Sequence, residues 1–202
     1  MTDVENFLSH HRLGGDAPLD TQAVEQACAD LGYYGSYERT EAMFWAMFRA
    51  KSARDCLAIF LGTANCCDAP WAWRGHLANL LRRCRARVDL AELLGEEERS
   101  WWAALPPLIE VYRGCERGRE RGLHWTTDRA VAEGFARGKR CINKRPTLVQ
   151  AIIPKPHVFG VFLDRQEYEI ALDPRRLRRI HVEPAAPWAV EPTGLRQEGR
   201  LQ

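Results

Sequence analysis

The sequence predicts an α+β protein: a helical lobe over residues 1–106, a β domain with one internal helix over residues 107–184, and a flexible tail over residues 185–202. Three observations carry this. Apolar residues recur at helical spacing as far as Leu105. Beyond that point they fall in short β-branched or alternating runs. Between the two patterns stands Pro106-Pro107, which cannot continue a helix because neither residue carries an N–H.

Taken in order, "TDVENFLSHH" opens with cap-type residues and is followed by the break Gly14-Gly15. "DTQAVEQACADLG" places Ala23, Ala27 and Leu31 on one face, with Gly32 as the expected C′ residue. "SYERTEAMFWAMFRAK" carries Met43, Phe44, Met47 and Phe48 as a stripe. "SARDCLAIFLG" starts with Ser52 and Asp55 at the spacing of a capping box. "RGHLANLLRRCRARV" is amphipathic through Leu77, Leu80, Leu81 and Cys84, and Gly95 divides "LAELLGEEERSWWAAL".

The β domain opens with "LIEVYRG", expected to end at Arg113-Gly114. "TLVQAIIP", "HVFGVFL", "EYEIAL" and "RRIHVE" give the further strands, separated by Pro, Gly and Asp. One helix, from about Asp128 to Arg137, lies among them with Thr127 as its expected N-cap. Phe135 and Ala136 are expected to pack it onto the strands. The segment after Pro184 is rich in Pro, Gly and Glu and is expected to fray.

The chain of 202 residues has a net charge of +2, too small by itself to indicate nucleic-acid binding. Its positive charge is clustered at Arg82–Asp89, Arg117–Arg145 and Arg175–Arg179. Such clusters attract phosphates of any kind, a dinucleotide as well as a polynucleotide. For the first and last, a solvated face is the simplest reading. The basic helix "LRRCRAR" lacks interleaved aromatics, so nucleic acid is not the favoured partner.

No apolar run approaches the roughly 20 residues that span a bilayer. The N-terminus "MTDVENFLSHH" lacks the pattern of a Sec-type signal peptide. The seven cysteines are odd in number and unpaired in spacing, so reduced thiols in a cytoplasmic protein are expected. Delivery into a target cell by a specialised secretion system is compatible with this. Cys66-Cys67 with Cys84 and His76 does not match the short hairpins that hold structural zinc; buried thiols are expected and no metal.

Chemistry-bearing residues concentrate in three pieces. The first is a strand ending in "YRG", with Arg113 and Gly114. The second is the Gly-led "GLHWTTD" running into a helix, with His124, Trp125, Thr126 and Thr127. The third is "DRQEYEIAL", in which strand alternation puts Arg165, Glu167 and Glu169 on one face and Tyr168 and Ile170 on the other. Each piece alone has an ordinary explanation: a surface ion pair, a core indole, a solvated edge.

In this order and spacing, over roughly Ile109 to Val182, the three resemble the mono-ADP-ribosyltransferase family of the toxin-like Arg–Ser–Glu type. That resemblance implies an ADP-ribosyltransferase-like split β-sandwich and a glycosyltransferase reaction. ADP-ribose passes from NAD⁺ to a macromolecular acceptor, an arginine on a target protein being favoured, and nicotinamide is released. NAD⁺ would be co-substrate and no metal is implied. The settings it implies include a toxin or effector.

By resemblance, Glu169 would hydrogen-bond the nicotinamide ribose and stabilise its oxocarbenium character. Glu167 would orient or deprotonate the acceptor, and Arg113 would bridge the phosphates or ribose. Gly114 would let main-chain N–H and C=O approach the carboxamide. Trp125 would stack on nicotinamide, or pack in the β core. The helical lobe would cover one side of the cleft, and a loop around Phe159–Gln166 would read the target.

His124 stands where the family has serine. Three readings stay open: histidine makes the ribose hydrogen bond, Thr126 supplies the hydroxyl, or the site is inactive. The last would make the chain a binding protein that keeps the fold and docks an acidic protein or nucleic acid. A plain NAD⁺ glycohydrolase would differ only in letting water attack.

Overall fold

The computed structural model describes residues 17–67, 70–138, 143–163 and 167–185. The helix expected at "TDVENFLSHH", Arg165, the end of the loop expected around Phe159–Gln166, and residues 186–202 lie outside these. Among the described residues are six α-helices and one six-stranded antiparallel sheet. The chain is therefore α+β. No helix among them is long and apolar enough to cross a membrane.

Helices α1 (Thr21–Leu31), α2 (Ser36–Arg49), α3 (Ala53–Thr63) and α4 (Pro70–Arg85) form the lobe. Asp20 caps α1 by accepting the Ala23 N–H at 3.0 Å. Gly32 ends α1 with φ −62°, a right-handed C-cap and not the left-handed C′ residue expected. Ser52 caps α3 through the Asp55 N–H at 3.0 Å. Asp55 does not close a capping box; its carboxylate accepts the Asp20 N–H at 2.9 Å, tying the starts of α1 and α3 together.

The stripes predicted for α2 and α4 are core, whereas of the face predicted for α1 only Leu31 is buried, Ala23 being exposed. Met43, Phe44, Met47 and Phe48 of α2 and Leu77, Leu80, Leu81 and Cys84 of α4 are all buried in one cluster. That cluster also takes in Leu123, Phe159, Phe162 and Ala171 of the sheet. Helix α5 (Glu96–Ala104) starts at Gly95, with three glutamates in its first turn and the Glu98 carboxylate on the Gly95 N–H at 3.0 Å. Trp102 of α5 packs with Ile109, Val111, Trp125 and Ile170 in a second cluster against the opposite sheet face. Each core thus joins residues from both sides of Pro106-Pro107.

The strands are β1 (Leu108–Glu116), β2 (His124–Thr126), β3 (Pro146–Pro154), β4 (Val158–Phe162), β5 (Glu169–Leu172) and β6 (Arg178–Pro184). Their order is β4-β5-β2-β1-β3-β6. Pairing is uneven across it. β1 pairs with β3 along its whole length, Leu108 opposite Pro154 through Glu116 opposite Pro146, but meets β2 only where Tyr112 faces Thr126. The sheet is two three-stranded halves joined at one point.

Two sequence expectations change here. Strand β1 continues past Arg113-Gly114 to Glu116; what stops is its pairing with β2. The alternation expected for "RQEYEIAL" also fails, because Tyr168 has φ 44° and β5 begins only at Glu169. Residues Phe159–Phe162 form a fully buried strand, so that part of the expected target-reading loop is core.

Helix α6 (Arg129–Ala136) packs on β1. Its N-cap is Asp128, not Thr127: the Asp128 carboxylate accepts the N–H of Ala130 at 2.7 Å and of Val131 at 3.3 Å. Thr127 lies just past the end of β2, its N–H donating to the Tyr168 carbonyl at 3.2 Å.

The basic end of α4 is an anchor more than a solvated face. Arg82 Nε bonds the buried Asp173 carboxylate at 2.7 Å, and Arg85 Nε donates to the Val158 carbonyl at 3.0 Å. Arg175, Arg176, Arg178 and Arg179 are exposed, as a solvated patch requires.

Candidate functional site

A cleft of about 400 Å³ opens between the lobe and the sheet, in the size range of small-molecule sites. Arg113, Gly114, His124, Trp125, Thr126, Glu167 and Glu169 all line it. The sequence singled out these seven, and tertiary structure brings them together from three separate segments.

The cleft exists because β1 and β2 part company. Arg117 N–H donates to the Arg145 carbonyl and Lys155 N–H to the Pro107 carbonyl, each at 2.9 Å, flanking the pairs Glu116–Pro146 and Leu108–Pro154. That ladder phase points the main-chain N–H and C=O of even-numbered β1 residues away from β3, toward β2. Tyr112 meets Thr126 there. Gly114 would face His124 two residues on, yet no such pair forms. The Arg113 guanidinium takes the His124 carbonyl instead, and its Nε donates to the Arg119 carbonyl at 3.2 Å. Arg113 thereby holds β2 where the ladder lets go, and the main-chain edge of Gly114 is turned into the opening.

Gly122 makes this possible. A Cβ there would lie 2.3 Å from Arg113 Cζ, so the glycine leaves the room that the guanidinium occupies. Gly114, by lacking a side chain, also admits helix α6. Its missing Cβ would sit 1.9 Å from the Ala132 carbonyl oxygen and 2.3 Å from the Ala136 nitrogen. The helix thus packs directly on the bare α-carbon of Gly114.

Alternation along β2 sorts the next three residues. Trp125 points into the second core cluster, 2% exposed, with its indole N–H on the Gly122 carbonyl at 2.9 Å. Of the two roles expected for Trp125, packing in the β core is the one the structure shows, and stacking on nicotinamide is set aside. His124 and Thr126 take the cleft face. Thr126 Oγ1 donates to the Glu167 carbonyl at 2.6 Å and accepts the Asp128 N–H at 3.0 Å. Its hydroxyl is committed to fixing the turn into α6 and the approach to β5, which argues against Thr126 as the ribose hydroxyl.

Glu169 stands opposite Thr126 on β5, and diagonally its Oε1 meets His124 Nδ1 in a close pair. The His124 ring lies against Phe162, with centroids 6.2 Å apart. Phe162 below and Glu169 beside it thus set the ring's position. Glu167 reaches the cleft from the segment before β5, 4% exposed. The two carboxylates share the cleft without sharing a strand face.

Residues that sequence reasoning missed complete the lining. Tyr112 forms part of the floor; burial, with Glu110 alongside, pushes its phenol above its ordinary pKa and keeps it protonated. Phe135 lines the cleft, half-buried, where a core role was expected, whereas Ala136 is fully buried. Asn143 caps the last turn of α6 through the carbonyls of Phe135 and Ala136 at 2.9 and 3.0 Å. From the lobe come Tyr37, Asn65, Cys67 and Trp71. Only the position of Tyr112 beside Arg113 could have flagged one of these in the sequence.

The cleft is electrostatically divided: Arg113 and Arg119 supply guanidiniums, Glu116, Glu167 and Glu169 carboxylates. It can hold an anion and a developing cation at once. No group of His, Cys, Asp and Glu among the described residues is arranged to hold a metal ion. Cys66 is exposed and Cys67 half-buried, so of the three thiols expected to be buried only Cys84 is. No protein-family model, curated protein or solved structure matches the chain.

Proposed function

We propose that the chain is an NAD⁺-dependent mono-ADP-ribosyltransferase acting on a protein arginine. The observation that carries this reading is that Arg113, from β1, and Glu169, from β5, line one cleft with the His124 residue fastened to both. The sheet's near-division at Tyr112 and Thr126 supports the finer fold, an ADP-ribosyltransferase-like split β-sandwich.

The mechanism follows from the residues. Guanidiniums at Arg113 and Arg119 attract the pyrophosphate, with the Gly114 main chain beside them. Glu169 faces the ribose, where its negative charge stabilises the oxocarbenium character that builds as the C–N bond to nicotinamide breaks. Nicotinamide leaves with the bonding electron pair. The acceptor guanidine nitrogen attacks the ribose C1′, and Glu167 takes the proton it sheds. His124 orients Glu169, a task that suits a residue bonded to that carboxylate and braced on Phe162.

The test is incubation of the purified protein with labelled NAD⁺ and a cell lysate, with Glu169→Gln as control. A labelled protein band and free nicotinamide, both lost in the variant, are expected. Nicotinamide with free ADP-ribose and no band would replace the transferase with a glycohydrolase. A second reading, a binding protein that retains the fold without turnover, rests on His124, which stands where the family that the chain resembles has serine. Absence of nicotinamide release under all conditions would select it.

A further inference from the structure

We propose that Tyr37 and Trp71, both from the helical lobe, form an aromatic platform for a purine base. This rests on the NAD⁺ reading above and assigns the adenine end of the dinucleotide to a part of the chain outside the three pieces that suggested that reading. Tyr37 lies in the first turn of α2 and Trp71 in the first turn of α4, and both line the cleft. Tyr37 is 73% exposed, so its ring is open to a flat base entering the cleft.

Trp71 is braced for the role. The Arg74 guanidinium sits over its ring at 3.7 Å, while Arg74 Nη1 donates to the Trp71 main-chain carbonyl at 2.6 Å. The ring is thus fixed by a cation on one side, and fixed aromatic rings are what flat bases stack on. Asn65, also on the lobe wall, brings an amide able to read the polar edge of a base. Exposed Arg119, on the loop wall, is suited to the adjoining phosphates. With Glu169 taking the ribose next to nicotinamide, the aromatic wall is left for the other base.

Calorimetric titration of the full chain with NAD⁺, and with nicotinamide mononucleotide, which lacks the adenylate, tests this. Tyr37→Ala should weaken NAD⁺ about tenfold and leave the mononucleotide unchanged, whereas Tyr37→Phe should retain NAD⁺ affinity. Tyr37 is exposed, so neither change threatens the fold. Undiminished NAD⁺ binding in Tyr37→Ala, equal losses for both ligands, or loss in Tyr37→Phe as well would overturn the platform and leave the transferase reading standing. Failure of the unaltered chain to bind NAD⁺ would overturn both.

Discussion

Glu169 and His124 are bonded side chain to side chain across β5 and β2, although neither is the other's register partner: His124 stands opposite Ala171, and Glu169 opposite Thr126. The bond is diagonal, along the cleft face of the sheet. It fixes the one carboxylate that the proposed chemistry needs beside the ribose.

Replacing Glu169 by Gln keeps the size and hydrogen-bonding reach of the side chain but removes its charge. Nicotinamide release should fall by about a hundredfold or more while the Kd for NAD⁺ changes little. Single-turnover release measured beside equilibrium binding separates the two. An unchanged rate would exclude Glu169 from the reaction.

Arg113 bonds the carbonyls of His124 and Arg119 through separate guanidinium nitrogens, which neither Ala nor the single ammonium of Lys can reproduce. Arg113→Lys should lower stability by about 1–3 kcal/mol and weaken NAD⁺ binding. Denaturant unfolding gives the first quantity. Faster amide exchange in β2 would report the loosened seam.

Two glycines should respond with opposite signs. In Gly114→Ala the new methyl meets main-chain atoms of α6 that cannot swing aside, so a loss of about 3 kcal/mol or more is expected. Gly75, exposed within α4 with nothing within 4 Å of its missing Cβ, should gain up to about 1 kcal/mol on change to Ala. Thermal melting of both variants checks the pair.

Asp173 joins the lobe to the sheet through Arg82. Burial pushes its carboxyl pKa up, but the bonds from Arg82 and from the Arg175 N–H outweigh that and hold it below the ordinary aspartate value. Being depressed in the folded state, it contributes stability at neutral pH that is lost as pH falls through its lowered value, below about pH 4. Asp173→Asn should cost about 3 kcal/mol at pH 7, the gap to the unaltered chain closing in acid. Unfolding midpoints measured from pH 7 to pH 2 check this; a gap independent of pH would contradict it.

Thiol reactivity should divide by depth. Burial, with the neighbouring Cys84 thiol, pushes Cys56 well above its ordinary pKa, whereas Cys66 is exposed. At pH 8 an alkylating reagent should label Cys66 in the native chain, and Cys56 and Cys84 only on unfolding. Peptide mapping distinguishes them.

The sequence by itself determined the core of the helices α2 and α4, because burial there follows a period: Met43, Phe44, Met47 and Phe48, and Leu77, Leu80, Leu81 and Cys84, recur at helical spacing and are all buried. It also determined where helix gives way to strand, since Pro106-Pro107 forbids helix locally. Only the tertiary structure decided what depends on approach between distant segments. The bare α-carbon of Gly114 answers to α6, and Arg113 replaces a missing strand pair. His124 meets Glu169 on a diagonal, and Tyr37 and Trp71 reach the same cleft from another lobe. Local patterns record the cost of exposing a side chain to water; they carry no record of which distant surface will cover it.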